Sequence, residues 1–271
     1  MKSSTRRIIP EFVLGIFLAT MLACGSTPIP PPATATASLP PPTQIRLPTQ
    51  TSIPLYRVVT LTSISRNETS ATPEYTEMAQ IPALQGSSDV RVTNFNNEMV
   101  LLTQEEFAKF KDNAAETRPT PGMAGNSYDQ QYKLLSPPGN LLSLRFQIKT
   151  YIYETAHPNT HNRTVTYDLE AGADIQLEQL FLPGSDYLGM IANYCIAQLK
   201  TRNIGFDAFA SGAQPNPENY GNWNITQTGL LITFNESQVA PFAAGAQEVT
   251  VPYAQLQSVI DPHGPLAGFL P

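Results

Sequence analysis

Charge is scarce in this sequence: Asp, Glu, Lys and Arg make up 14% of its 271 residues, against roughly 25% in an average soluble domain. The 16 basic side chains are outnumbered by 22 acidic ones. A chain without basic stripes is a poor partner for nucleic acid, for an anionic lipid surface or for any other polyanion. Cysteine occurs only at Cys24 and Cys195, which leaves no room for a disulfide framework. Histidine occurs three times and tryptophan once. There is no Gly-x-Ser-x-Gly elbow for a nucleophilic serine and no glycine-rich phosphate loop. The longest apolar run, Phe12 to Ala23, falls short of the roughly 20 residues that span a bilayer as a helix.

That short run is nevertheless informative. Lys2, Arg6 and Arg7 precede it, and it ends in Met21-Leu22-Ala23-Cys24. A basic start, an apolar centre and small residues before the cut are the marks of a secretory signal peptide, over residues 1–23. The last four residues resemble the lipobox of bacterial lipoproteins, with Met21 in place of the usual Leu. The resemblance implies diacylglycerol on the Cys24 thiol. Several acyl chains at about 0.8 kcal/mol per buried methylene hold a protein firmly at an interface without spanning it. Gly25 is not a retention-type Asp, so in a two-membrane cell the outer membrane is the expected destination. Cleavage removes three basic residues and Glu11, leaving 13 basic against 21 acidic side chains, a net charge of −8. Cys195 then has no partner for a disulfide.

Residues 24–72 are dense in Pro, Thr, Ser and Ala, as in Pro30-Pro31-Pro32-Ala33-Thr34. Proline fixes φ and removes donors, so this stretch is expected as a disordered, semi-rigid tether. At up to about 3.1 Å per residue it could reach on the order of 100 Å. Residues 73–271 have the length of one ordinary domain.

Within that domain, Val92, Phe95, Met99, Leu102 and Phe107 approximate the helical period and predict a helix over 89–113. Leu142, Leu144, Phe146, Ile148 and Ile152 alternate with polar residues and predict a strand. A polar loop, 156–162, follows. Val165, Tyr167 and Leu169 then predict a second strand, turned at Glu170-Ala171-Gly172 into Ile175 and Leu177. Asp186 or Ser185 caps a second helix that buries Leu188, Ile191, Cys195 and Leu199, with Gly205 as its stop. On that apolar stripe Cys195 is expected to be buried and inert. Trp223–Thr226 and Leu230–Phe234 predict a hairpin, Val249 and Val251 a further strand, and Pro252 opens a short helix carrying Leu256, Val259 and Ile260. The sum is an α+β domain: an antiparallel sheet of meander and hairpins with two to three helices packed on one face.

The order Thr166-Tyr167-Asp168-Leu169, Gly172, Leu180-Phe181, Gly229-Leu230-Leu231-Ile232-Thr233-Phe234, Ala240-Pro241-Phe242-Ala243-Ala244-Gly245 and Val249-Thr250-Val251-Pro252-Tyr253 resembles the RsiV-like domain, over roughly 75–260. That family is mostly of unknown function. It is known as the extracytoplasmic part of an anti-sigma factor that binds lysozyme and as an accessory domain of a peptidoglycan deacetylase. The shared motifs define a fold, with Gly172 and Gly245 expected where turns need freedom, and carry no catalytic centre. With no sigma-binding segment and no spanning helix in this sequence, direct signalling to a sigma factor is not expected.

Candidates for chemistry weigh lightly. His157 and His161 are four apart, a metal-ligand spacing on a helix, but Pro158 and Asn159 put them in a loop. Asp168, Glu170, Asp174 and Glu178 flank turns, where carboxylates usually bind backbone donors rather than substrate. No catalytic residue, metal or cofactor is expected. Exposed aromatics are the usual anchors of protein or carbohydrate contacts, and His157, Asn159, Tyr167, Trp223, Phe242 and Tyr253 are the candidate partner-binding set. The expected function is a non-enzymatic, membrane-anchored binding or sensing domain for an envelope partner. The acidic balance favours a basic protein such as lysozyme, and a peptidoglycan fragment is the other choice. A cell-wall glycan enzyme and a wall-tethered module without a ligand are the alternatives.

Overall fold

The computed structural model describes residues 53–269. The signal peptide, Cys24 and the first part of the tether lie outside the described residues. The fold is α+β, as expected, but it has two sheets and two hydrophobic cores rather than one of each.

The larger sheet holds six strands in the order of the chain: β1 (Thr60–Ala71), β2 (Glu74–Gln85), β3 (Asn126–Leu134), β4 (Leu141–Tyr151), β5 (Asn159–Asp168) and β6 (Ala173–Asp174). β1 corrects the expected boundary at residue 73, because the last part of the stretch read as tether is folded. Its side chains are mostly exposed on both faces, so no apolar alternation marks it, and its order comes from twelve residues paired with β2. The sheet is not wholly antiparallel either. β2 and β3 pair in parallel, which requires a crossover.

The crossover is α1 (Val90–Ala115), capped by Asp89, whose carboxylate accepts from the Arg91 amide at 2.9 Å. α1 presses Val92, Phe95, Met99, Leu102, Phe107 and Phe110 onto Tyr75, Tyr128, Leu144, Phe146, Ile148 and Tyr167 of the sheet. The inner face of β3 is partly polar. Buried Gln130 is satisfied there by Tyr128, which donates to its carbonyl at 2.7 Å, and by Thr103, which accepts from its amide at 2.8 Å. β5 opens at Asn159, so the expected 156–162 loop is shorter than read. Gly172, at φ +72°, makes the turn to β6 in the left-handed region that favours glycine.

The second core joins α2 (Tyr187–Lys200) to a three-stranded antiparallel sheet of β7 (Trp223–Ile225), β8 (Gly229–Phe234) and β9 (Gln247–Pro252). Ile191, Cys195 and Leu199 pack on Ile225, Ile232, Phe234, Val249 and Val251. The last expected helix is a single turn, α3 (Tyr253–Leu256). Gly205, at φ +70°, follows the end of α2.

The two halves meet on the face of β4–β5 opposite α1, through polar groups. Ser143 Oγ lies 2.8 Å from Thr166 Oγ1 and accepts from Asn224 Nδ2 at 2.9 Å and from the Ile225 amide at 3.0 Å. The Asn162 amide donates to Asn235 Oδ1 at 2.7 Å. Three asparagines of Asn-x-Ser/Thr sequences, at 162, 224 and 235, thus serve as structural sutures.

Candidate functional site

Three of the six candidate side chains, Tyr167, Trp223 and Tyr253, belong to the core. Tyr167 is fully buried, edge-on to Phe95 at 5.2 Å, and donates to the Arg91 carbonyl at 3.0 Å. Burial pushes its hydroxyl up to about 12. Tyr253 donates to the Thr226 carbonyl at 2.9 Å, and burial likewise raises its hydroxyl. Neither tyrosine can anchor a partner, because the alternation that made them visible in sequence points them inward.

His157 and Phe242, by contrast, are brought together. Their rings stack with centroids 3.9 Å apart and planes 23° from parallel. The β4–β5 loop supplies one and the β8–β9 loop the other, and both are exposed, Phe242 at 37%. Two residues in these loops, Glu154 (φ 71°) and Ser237 (φ 64°), adopt the left-handed region without being glycine. Such strain persists only where surrounding contacts impose it and concentrates at functional loops. The β8–β9 loop is also tied to the start of β5 by the Thr160 amide, which donates to Glu236 Oε2 at 3.2 Å.

Asn159 lines a cavity of about 410 Å³ beside this platform, together with Glu106, Lys109, Phe110 and His161. Glu106 is 7% exposed and receives Arg163 at 2.7 Å, His161 Nε2 at 3.0 Å and Lys109 at 3.2 Å. The hydrogen bond from His161, with help from Arg163 and Lys109, overcomes burial and holds its carboxyl at about 2. His157 and His161 therefore have separate partners, an aromatic ring and a carboxylate.

Trp223 is only 6% exposed, but it edges a second, larger cavity of about 550 Å³ between α1 and the outer edge of β5. Glu98 and Glu105 face this space from α1, and Asp174 and Gln176 from beyond β5. Arg163 pairs with Glu105 at 3.0 Å. Burial, together with the nearby Asp174, raises the Glu98 carboxyl. Asp174 accepts from Gln176 Nε2 at 2.7 Å, and Asp168 accepts from the Glu170 amide at 2.7 Å. The α1 carboxylates were not singled out from sequence. Their signal was present in Glu98, Leu101, Leu102 and Glu105, a three- and four-residue spacing that puts two acids on one helical face. Cys195 is buried in the second core, and burial pushes its thiol up to about 12, as its place on the α2 stripe predicts.

Comparison with known proteins adds a family description for part of the chain. Residues 178–254 match the family described as "Protein of unknown function (DUF3298)". An esterase of Mycobacterium tuberculosis, Esterase Rv3036c, is 32% identical over 99 residues, which are 36% of this chain and 43% of that protein. Immunogenic protein MPT64 of the same organism is 26% identical over 112 residues, 40% of this chain and 49% of its own length. The peptidoglycan-N-acetylmuramic acid deacetylase PdaC of Bacillus subtilis is 24% identical over 138 residues, 50% of this chain and 29% of the deacetylase. The chain thus spans less than half the length of each of these relatives. Two solved structures share the fold. One is a DUF3298 family member from Bacteroides fragilis, with TM-score 0.58 and 16% identity over 78% of this chain and 96% of that one. The other is a DUF3298 family protein from Pseudomonas aeruginosa, with TM-score 0.53 and 12% identity over 75% and 95%. The matched stretch, 178–254, holds α2 and the three-stranded sheet, so a DUF3298 match of unknown function covers the second core, while the two structures extend the likeness to the fold as a whole.

Proposed function

We propose that this chain is exported, lipidated at Cys24, and displays its folded part as a non-catalytic binding domain for an envelope partner, a basic protein of the lysozyme kind. The observation that carries the reading is the His157–Phe242 stack: two loops 85 residues apart in sequence hold a rigid aromatic platform in solvent. Rigid aromatic side chains supply contact area at low entropic cost. The net charge of −8 in the processed chain supports a cationic partner, steered by a field that salt weakens. The ion pairs around Glu106 support a structural role for the one buried His–Glu contact.

Titration of the full chain in nonionic detergent with lysozyme at low and at high salt tests the reading. Binding that weakens with salt and is lost in His157→Ala and Phe242→Ala is expected. Unaltered binding in both variants, or none at low salt, overturns it. A second reading, a peptidoglycan fragment as the ligand, draws on the stretch shared with the deacetylase, and muropeptide in place of lysozyme in the same titration separates the two. Hydrolysis of a p-nitrophenyl ester that disappears in His161→Ala would replace both with an esterase reading. Anchoring is tested separately: Cys24→Ala should leave the membrane fraction.

A further inference from the structure

The 550 Å³ cavity beside β5 combines two features that are seldom found together by accident, an unpaired strand edge and carboxylates without counter-ions. Along one edge β5 pairs with β4 over its whole length, from Asn159 to Asp168. Along the other, β6 pairs with Tyr167 and Asp168 only. The groups on that outer edge belong to the even-numbered residues, as three contacts establish. The Thr166 carbonyl accepts from the Ile175 amide at 2.7 Å, the Asn162 amide donates to Asn235, and the Thr160 amide donates to Glu236. Asn235 and Glu236 therefore seal one end of the edge and Ile175 the other. Between them, the backbone amide and carbonyl of Thr164 have no hydrogen-bond partner among the described residues, while Thr166, 2% exposed, lies under Ile175. Loops from the second half lean on this stretch through side chains instead, since Thr164 Oγ1 accepts from the Trp223 amide at 3.1 Å.

The walls specify chemistry. Glu98 forms no ion pair or hydrogen bond among the described residues and shares the cavity with Asp174, whose only partner there is the neutral Gln176 amide. Arg163, the one cationic residue of the lining, is already held by Glu105 and Glu106. Leu101, 63% exposed, stands on the same wall and Val165 on the floor. An exposed strand edge is a template for an added strand, in which main-chain hydrogen bonds give affinity and alternate side chains give specificity. Here side chains turned toward α1 would meet the carboxylates and Leu101, and those turned the other way would meet Gly221 and Trp223.

We propose that this groove binds an extended segment of a basic partner protein, which pairs with β5 at Thr164 and places a lysine or arginine between Glu98 and Asp174. The proposal rests on the reading of a basic protein partner and supplies its mode of attachment. A free polyamine, or a cationic helix that touches only the carboxylates, would fill the same charge without using the edge.

The test uses the full chain in nonionic detergent and four acetylated hexapeptides: alternating Lys and Thr, alternating Glu and Thr, and two Lys–Thr peptides with every second amide N-methylated, one in each register. Saturable binding of the Lys–Thr peptide is expected, weakened roughly tenfold by Glu98→Gln with Asp174→Asn, since one desolvated ion pair readily supplies the free energy of a factor of ten. The Glu–Thr peptide should not bind, and one of the two methylated registers should lose binding while the other keeps it. Hydrogen exchange at the Thr164 amide should slow on binding, a readout independent of the substitutions. Equal binding of both methylated registers with unchanged exchange overturns strand addition, even where His157- and Phe242-dependent lysozyme binding persists. Spermine binding as tightly as the peptide overturns it too. Lysozyme binding that is unaltered in Phe242→Ala, with intact peptide binding, would break the platform reading and leave the groove standing.

Discussion

The half built on α1 and the six-stranded sheet and the half built on α2 and the three-stranded sheet solve the same packing problem with different materials. Of the ten buried polar or charged side chains among the described residues, eight, including Glu77, Glu106 and Gln130, lie in the first half, and only Asn224 and Thr233 in the second. The second half is a nearly pure aliphatic and aromatic core, which burial alone stabilises and which specifies little chemistry. The first half invests in buried polar groups, which cost desolvation and return specificity only when paired; Glu106 and Gln130 are, while Glu77, beside Arg66, keeps a carboxylate oxygen without a hydrogen-bond partner. The two cavities lined by Arg163 and the β5 edge lie along it. The family match falls on the second half, and the accessible chemistry falls mostly on the first.

The comparison is broken most strongly by removing packing from either half. Phe95→Ala, under α1, and Phe234→Ala, in the small sheet, should each cost about 3–5 kcal/mol, read by urea unfolding with tryptophan and far-ultraviolet signals. If the seam makes the halves one cooperative unit, both signals shift together in both variants. Separate transitions would show two independent units.

Next in size is the pH response, which the two buried carboxylates of the first half drive in opposite directions. Glu106 is held at about 2, below its ordinary 4.5. Its contribution, roughly 3 kcal/mol by linkage, is fully present above 4.5 and is lost as pH falls toward 2. Glu77 is raised to about 6, because burial outweighs the Arg66 guanidinium 3.0 Å away. The folded state therefore favours its protonated form, and about 2 kcal/mol of stability present below 4.5 is lost as pH rises through 6. Glu106→Gln should remove the acid loss and Glu77→Gln should flatten the slope between pH 4.5 and 6 in unfolding midpoints measured across pH. An unchanged profile in either variant would show that the carboxylate concerned does not set it.

A smaller effect sharpens the boundary between the halves. Ser143→Ala deletes the acceptor shared by Asn224 and the Ile225 amide and should cost about 2 kcal/mol, the penalty of stranding buried donors. A cost indistinguishable from that of an exposed serine would mean that the seam is not load-sharing. Smallest of all, Cys195 should react with a thiol reagent only on unfolding, because its buried thiol sits at about 12. Labelling at a rate independent of unfolding would contradict its place in the core.

Legibility in the sequence followed periodicity. α1, α2, β4 and β5 were readable because apolar residues recur at the period of one inward face, and the β7–β8 hairpin, buried on both faces, was readable as an apolar run broken by the turn at Gln227-Thr228. β1 was missed because an edge strand with both faces largely exposed needs no apolar alternation. β3 was missed because its inner face carries Asn126, Tyr128 and Gln130, residues that a pattern reader assigns to solvent. Of the candidate binding residues, His157 and Phe242 were named separately and only folding made them a pair. Tyr167, Trp223 and Tyr253, expected as surface anchors, are core.

What the sequence by itself determined is therefore local: the signal-like start and Cys24 motif, the acidic balance, the α+β class and the turn glycines at 172 and 245, each set by the chemistry of neighbouring residues. The tertiary structure alone decided the parallel β2–β3 pair, the polar seam through Ser143, the His157–Phe242 platform and the open β5 edge facing Glu98. Each of these joins residues far apart in the chain, and no local propensity records which distant surface a strand or loop will meet once the apolar faces have chosen their partners.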